Sequence, residues 1–361
     1  MSERAYNFSA GPAILPEPVL KQAQKDIWNI FDSGMGVLEL SHRGPQFDRI
    51  LAEAEADCRE VGNIPDNYRV LFLQGGATLQ TAMIPMSFLP AGETADYFDT
   101  GKWASDAIKE AKKFGTVHVA GTTKELKYKR LPTEAETRFS PDAAYCFFVS
   151  NNTIYGTQWH NLPKSRAPIV CDMSSDFFCR PHDFTKYAMV YASAQKNIGP
   201  SGQAIAVISD EFLANAPEGK LATMLDYKVM AAQESRPNTP NTFAIYLMGQ
   251  CFKWIKNFGG LRAIEEYNKE KAKIVYDYLD NSKFFIPHAE KQDRSLMNIT
   301  FKCAKPELDE VFIDQAENAG LKTIAGHRSI GGMRASIYNA FPIEGCRALV
   351  KFMKDFESKH G

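Results

Sequence analysis

The sequence has no apolar stretch approaching the roughly 18 residues that a membrane-spanning helix requires. Its start, MSERAYNFSAGP, lacks the apolar core of a secretory signal, so a cytoplasmic chain with no membrane role is expected. Seven cysteines, an odd number without a CxxC pair, give neither a disulfide framework nor a paired-Cys zinc site. They are expected to remain thiols, most of them small core hydrophobes. There is no HExxH helix, hence no expected metal, and no repeat or low-complexity tract. Nor is there an excess of either charge: 42 Lys and Arg against 43 Asp and Glu give a net charge of -1. No overall basic field draws nucleic acid, so any anion must be held by local clusters.

What is present is an ordinary globular composition in 361 residues, enough for two domains at about 150 residues each. Short apolar runs at Val70–Leu73, Tyr145–Val149, Pro168–Cys171, Met189–Ala192 and Ala204–Ile208 read as buried strands. The first is stopped by Gly75-Gly76 and followed by a helix-like pattern interrupted at Pro85. Alternation of this kind predicts an α/β domain with a mostly parallel sheet, whose ligands sit beyond the strand C-termini. Past Phe258 the pattern changes to amphipathic helices over 261–279, 306–321 and 343–360, with strands SLMNITFKC and MRASIYN. A smaller α+β domain is expected there. The division predicted is a large domain over 16–257 and a small one over 258–361, with the segment 1–15 packing against the small domain.

Four features fall where such a sheet presents its chemistry. In QGGATLQ, the backbone amides of Gly76, Ala77 and Thr78 open a helix and suit a phosphate. The Gly101-Lys102 pair is no P-loop, because Trp103 follows it instead of Ser or Thr. Asp172 closes the strand PIVC and Lys196 lies just past MVYASA. A lysine among apolar residues has its pKa lowered enough to form a Schiff base, and a carboxylate opposite it can keep a pyridine nitrogen protonated. The string Ser193-Ala194-Gln195-Lys196 also matches the S-x-x-K of serine acyl-transfer enzymes, but the S-D-N and K-T-G elements of that chemistry are missing. Two basic clusters complete the set: His42-Arg43, and His327-Arg328 with Arg334. Arginine forks suit a small substrate with two anionic groups. Trp103 can stack on a flat ring, Thr153 can hydrogen-bond a ring substituent, and Asn238-Thr239 read by composition only as a proline-bracketed turn.

The strings NFSAGPAILP, SHRGPQF, LFLQGGAT, NNTIYGTQ, CDMSSDF, SAQKNIGPSG, RPNTPNTF and GHRSIGGMRASIYNA, in this order from Tyr6 to Phe352, resemble the phosphoserine aminotransferases. These are class V transaminases of pyridoxal-phosphate fold type I, the aspartate-aminotransferase fold. The resemblance implies pyridoxal 5'-phosphate as cofactor and a homodimer with active sites at the subunit interface. It makes Lys196 the Schiff-base lysine and general base, and Asp172 the partner of the pyridine nitrogen. Gly76 and Ala77 bind the cofactor phosphate with help from Gln195; Trp103 stacks on the ring and Thr153 contacts it. Asn238 and Thr239 reach the other subunit's cofactor phosphate. His42, Arg43, His327, Arg328 and Arg334 hold the substrate anions, with Arg334 on the α-carboxylate. The implied substrates are L-glutamate and 3-phosphohydroxypyruvate, giving O-phosphoserine and 2-oxoglutarate by ping-pong kinetics, with the phosphorylated hydroxythreonine precursor of vitamin B6 synthesis a further acceptor left open. Two other readings stay open from the residues alone: another transaminase or a cysteine desulfurase of the same fold, and a non-catalytic binding protein on an old enzyme scaffold.

Overall fold

The computed structural model describes residues 4–361. Alternation of strands and helices builds the first two thirds of the chain. A short strand β1 (Tyr6–Asn7) precedes α1 (Glu17–Asp26) and α2 (Pro45–Gly62), after which come β2 (Tyr68–Gln74), α3 (Gly76–Phe88), β3 (Thr94–Asp99), α4 (Lys102–Ala111) and β4 (Thr116–Thr122). There follow β5 (Ala143–Val149), the small hairpin β6 (Asn151–Asn152) and β7 (Thr157–Gln158), β8 (Ile169–Asp172), β9 (Met189–Ser193), the single turn α5 (Ala194–Asn197) and β10 (Gln203–Ser209). Helices α6 (Asp210–Ala214), α7 (Tyr227–Ala232) and α8 (Thr242–Phe258) close this part.

The seven-stranded sheet runs β2-β10-β9-β8-β5-β3-β4, parallel throughout except for β10, which is antiparallel to both its neighbours. Most of its strands are covered on both faces, which is why they read as continuous apolar runs. Period-two alternation divides them between two cores. Val70, Phe72, Val190, Ala192, Ile205 and Val207 pack under α2 and α8. Leu71, Leu73, Met189, Tyr191, Ala204 and Ala206 pack under α3 and α4.

The C-terminal part holds α9 (Gly260–Asn281), β11 (Phe285–Pro287), β12 (Asn298–Cys303), α10 (Asp309–Asn318), β13 (Leu321–Lys322), β14 (Met333–Ser336) and α11 (Ile343–His360). Strands β11, β12 and β14 form an antiparallel sheet, backed by the apolar faces of α9, α10 and α11. The N-terminal strand β1 pairs with β13, and Phe8 lies in this third core. Two strands of the seven-stranded sheet are not among the apolar runs of the sequence. β3 carries TADYFD, and its buried Asp96 accepts hydrogen bonds from the Ser140 amide and hydroxyl; β4 is an edge strand with exposed residues. All seven cysteines are free and buried, and among the described residues no helix is long and apolar enough to cross a membrane.

Candidate active site

Strands β2, β5, β8 and β9 run the same way, so Gln74, Val149, Asp172 and Ser193 end at one edge of the sheet. The turn after β2 is built from two left-handed glycines, with φ of 85° at Gly75 and 62° at Gly76. A Cβ at Gly76 would lie 3.1 Å from the Ser193 hydroxyl. No side chain caps α3, which leaves its first amides, from Gly76, Ala77 and Thr78, pointing outward at the positive end of a 13-residue helix.

Lys196 sits on the one-turn helix α5 immediately beyond β9. Its Nζ has no hydrogen-bond or ion-pair partner among the described residues, and lies 5.4 Å from the centroid of the Trp103 ring. Burial lowers its pKa, Asp172 opposes this, and the Arg334 guanidinium lowers it further. A lowered pKa at an unpaired amine is what a nucleophile or base requires. Its stem is packed tightly: a Cβ on Gly11, where φ is 146°, would meet Lys196 Cγ at 3.3 Å. Asp172 ends β8, 7% exposed, and accepts from the Ser174 amide at 2.8 Å and from the Tyr191 hydroxyl at 3.1 Å. Tyr191 is held far above its usual pKa by burial and by the Asp172 charge, so it donates to the carboxylate. Gln195 accepts from the Ser193 hydroxyl and, through its carbonyl, from the Ala13 amide at 2.8 Å.

Trp103 opens α4, and its indole N–H donates to Thr153 Oγ1 at 3.0 Å. The Thr153 carbonyl in turn accepts from Arg334 Nη1 at 3.0 Å. Arg334 projects from β14, and its Nε–H is buried without a partner, a donor left over for a ligand. His327 is held below its usual pKa by burial, with Arg334, Arg328 and Lys102 adding positive charge around it. The structure thus joins Gly76, Trp103, Thr153, Asp172, Gln195, Lys196 and Arg334 at the strand ends, with His327 and Arg328 at the rim.

The remaining residues form a second group. Thr239 Oγ1 lies 3.2 Å from His42 Nδ1, Arg236 reaches the His42 carbonyl at 3.4 Å and pairs with Asp48, and Asn238 accepts from Gln74 at 3.2 Å. His42, Arg43, Asn238 and Thr239 make no hydrogen bond to Lys196, Asp172, Trp103, Thr153 or Arg334. Sequence reasoning missed Tyr191 and Lys102. Tyr191 faces Asp172 because the two are register partners on adjacent parallel strands, a pairing invisible in either run alone.

Residues 5–349 match the family described as Aminotransferase class-V. The phosphoserine aminotransferase of Lysinibacillus sphaericus is 48% identical over 362 residues, spanning 100% of both chains. Among solved structures, the phosphoserine aminotransferase of Bacillus circulans subsp. alkalophilus superposes with a TM-score of 0.97 at 44% identity, covering 100% of each chain. The PLP-bound phosphoserine aminotransferase of Trichomonas vaginalis gives 0.93 at 37% identity, covering 97% of this chain and 100% of that one. The chain belongs to the phosphoserine aminotransferase family.

It is therefore a pyridoxal-phosphate-dependent transaminase of fold type I. The residues present fit that cofactor: an uncapped helix start behind a glycine cradle for the phosphate, a hydrogen-bonded carboxylate for the ring nitrogen, an exposed face of Trp103, and an amine without any other partner.

Proposed function

We propose that this member of the phosphoserine aminotransferase family transfers the amino group of L-glutamate to 3-phosphohydroxypyruvate through Lys196, with Asp172 as its electrostatic counterpart. The observation that carries this reading is the unpaired, pKa-lowered Lys196 amine at the same sheet edge as Asp172, beside a buried Arg334 with a free donor. Bound pyridoxal phosphate supplies an electrophilic carbon and a ring that accepts electrons from the substrate Cα. Gly76, Ala77 and Gln195 would hold its phosphate, and Trp103 and Thr153 would hold its ring. Asp172, held in place by hydrogen bonds from the Ser174 amide and the Tyr191 hydroxyl, would keep a proton on the ring nitrogen. The Lys196 amine would take the proton from the substrate Cα and give it back on the far side of the transferred nitrogen. Arg334 clamps the α-carboxylate, and the positive charge of Arg328, with the His327 ring beside it as a hydrogen-bonding group, suits the distal phosphate or carboxylate.

His42, Arg43, Asn238 and Thr239 act, in this reading, in the site of a second copy, completing a homodimer. The support is that their hydrogen bonds run to one another and to Gln74 and not to Lys196, together with the apolar surface that adjoins them: Ile27, Trp28, Phe31, Met35 and Leu38 are exposed on the segment that leads to His42. A boundary between two domains falls at Phe258, where α8 ends in the left-handed Gly259 and α9 leads into the third core.

The test is the visible absorption of the purified, cofactor-loaded protein. The band is expected to bleach on adding glutamate and to return with 3-phosphohydroxypyruvate. Recovery only with a different keto acid removes the substrate assignment, and absence of any glutamate response removes the assignment of Lys196.

A further inference from the structure

Helix α9 buries a cation that no step above uses. Lys271 is 0% exposed, and its Nζ donates to the carbonyl oxygens of Ile337 at 2.9 Å and Tyr338 at 2.6 Å, with that of Asn339 at 3.5 Å. No carboxylate pairs with it among the described residues. The groups facing it are Tyr267 on its own helix, with the ring centroid 4.7 Å away, Cys346 on α11, Cys179 in the loop after β8, and Tyr338 itself. A charge so placed is costly, and burial brings its pKa down to about 7. An apolar side chain would fill the space at lower cost, so what the ammonium holds becomes the question.

The three carbonyls belong to one segment, and that segment braces Lys196 from two sides. On one side the Asn339 amide donates to Asn197 Oδ1 at 2.9 Å, and Asn197, next to Lys196 on α5, is fixed to the Phe177 carbonyl at 2.8 Å. Asn268, one turn before Lys271, holds Asn339 Oδ1 at 2.8 Å. On the other side the Tyr338 hydroxyl donates to the Ala10 carbonyl at 2.7 Å, setting the position of Gly11, whose backbone packs on the Lys196 stem. Arg334 lies three residues before Ile337 on the same run of chain.

We infer that Lys271 is a positioning residue for transamination: its buried ammonium locks Ile337–Asn339, which through Asn197 and through Ala10–Gly11 fixes the walls around Lys196 and the approach of Arg334. The inference rests on the reading of Lys196 as the reactive amine. Without the ammonium, the buried carbonyls of Ile337 and Asn339 lose their donor and that of Tyr338 keeps only the Phe341 amide, and the segment shifts to satisfy them.

The decisive variant is Lys271→Met in the cofactor-loaded full chain. It is expected to keep its circular dichroism and its visible band, while the pH midpoint of that band moves by about half a unit or more and kcat falls about tenfold. Combined with Asn197→Ser, the loss is expected to be smaller than the product of the two single losses, because both act along one route. A folded Lys271→Met protein with an unmoved band midpoint and kcat within about twofold of wild type, or losses that simply multiply, overturns the inference. If Lys271→Met does not fold, Tyr338→Phe, which cuts the link to Ala10 together with a hydrogen bond accepted from Asn298, decides: a shifted midpoint supports the inference and an unshifted one removes it. A wild-type protein whose band ignores glutamate overturns the reading of Lys196 beneath it, an outcome distinct from a normal wild type with an indifferent Lys271→Met.

Discussion

At the scale of single residues, two lysines illustrate opposite consequences of burial. Lys196 has no partner to lose, so Lys196→Ala is expected to abolish turnover while shifting the melting temperature by no more than a few degrees, of the order of 1 kcal/mol. Steady-state kinetics beside thermal denaturation check this, and substantial residual transamination would contradict it. Lys271 behaves differently, since its proton is released at about 7 in the folded protein and well above that in the unfolded chain. Above about pH 7 the unfolded state binds more protons, so the penalty of burying the charge is full below that pH and fades as pH rises. The stability of wild type relative to Lys271→Met is therefore expected to increase between about pH 6.5 and 8.5, read from urea denaturation at several pH values; a flat difference would show that Lys271 does not titrate there. Lys196 and Asp172 were legible from sequence as candidates, because a charged residue at the end of an apolar strand or just past it falls where a parallel sheet presents its chemistry. Lys271 was not, since in KEKAKIVYDYL it looks like one of several lysines on the solvated face of an amphipathic helix.

At the scale of elements, the glycine turn between β2 and α3 joins sequence, backbone and chemistry most directly. With φ at 62°, any side chain at Gly76 is strained, and its Cβ would press on the Ser193 hydroxyl. Gly76→Val is expected to destabilise the protein by about 1–2 kcal/mol and to weaken pyridoxal-phosphate binding at least about tenfold, read by cofactor titration followed through absorbance. Unchanged affinity would place the phosphate elsewhere. The turn was readable because QGG between a strand and a helix leaves few conformations. Strands β3 and β4 were harder. Asp96 breaks the apolar pattern of β3 because Ser140 satisfies it from outside the strand, a contact 44 residues away. The reversal of β10 within an otherwise parallel sheet is likewise set by packing with β2 and β9, since a strand buried on both faces has the same composition in either direction.

At the scale of the whole molecule, a single chain leaves its chemistry divided. Trp103, Thr153, Asp172 and Arg334 converge on Lys196, whereas His42, Arg43, Asn238 and Thr239 form a second group, tied together by the His42–Thr239 contact and the Arg236 bridge to Asp48 and joined to the strand ends through Gln74. Next to them Trp28 is 85% and Leu38 58% exposed, an arrangement that water disfavours unless another surface covers it. No periodicity could reveal such a role, because residues that would serve a neighbouring copy carry no local signature; only the resemblance to a family suggested that Asn238 and Thr239 reach outward. If a second copy covers this patch, placing a charge in it opposes association without touching the strand-end residues around Lys196. Trp28→Glu is expected to convert a dimer to a monomer in sedimentation equilibrium. The monomer should keep its fold, bind pyridoxal phosphate about tenfold or more weakly, and lose most turnover, because two of the residues assigned to the phosphate come from the other chain. A Trp28→Glu protein that remains dimeric moves the interface elsewhere on the surface. One that becomes monomeric yet keeps full activity shows that His42, Arg43, Asn238 and Thr239 serve their own subunit.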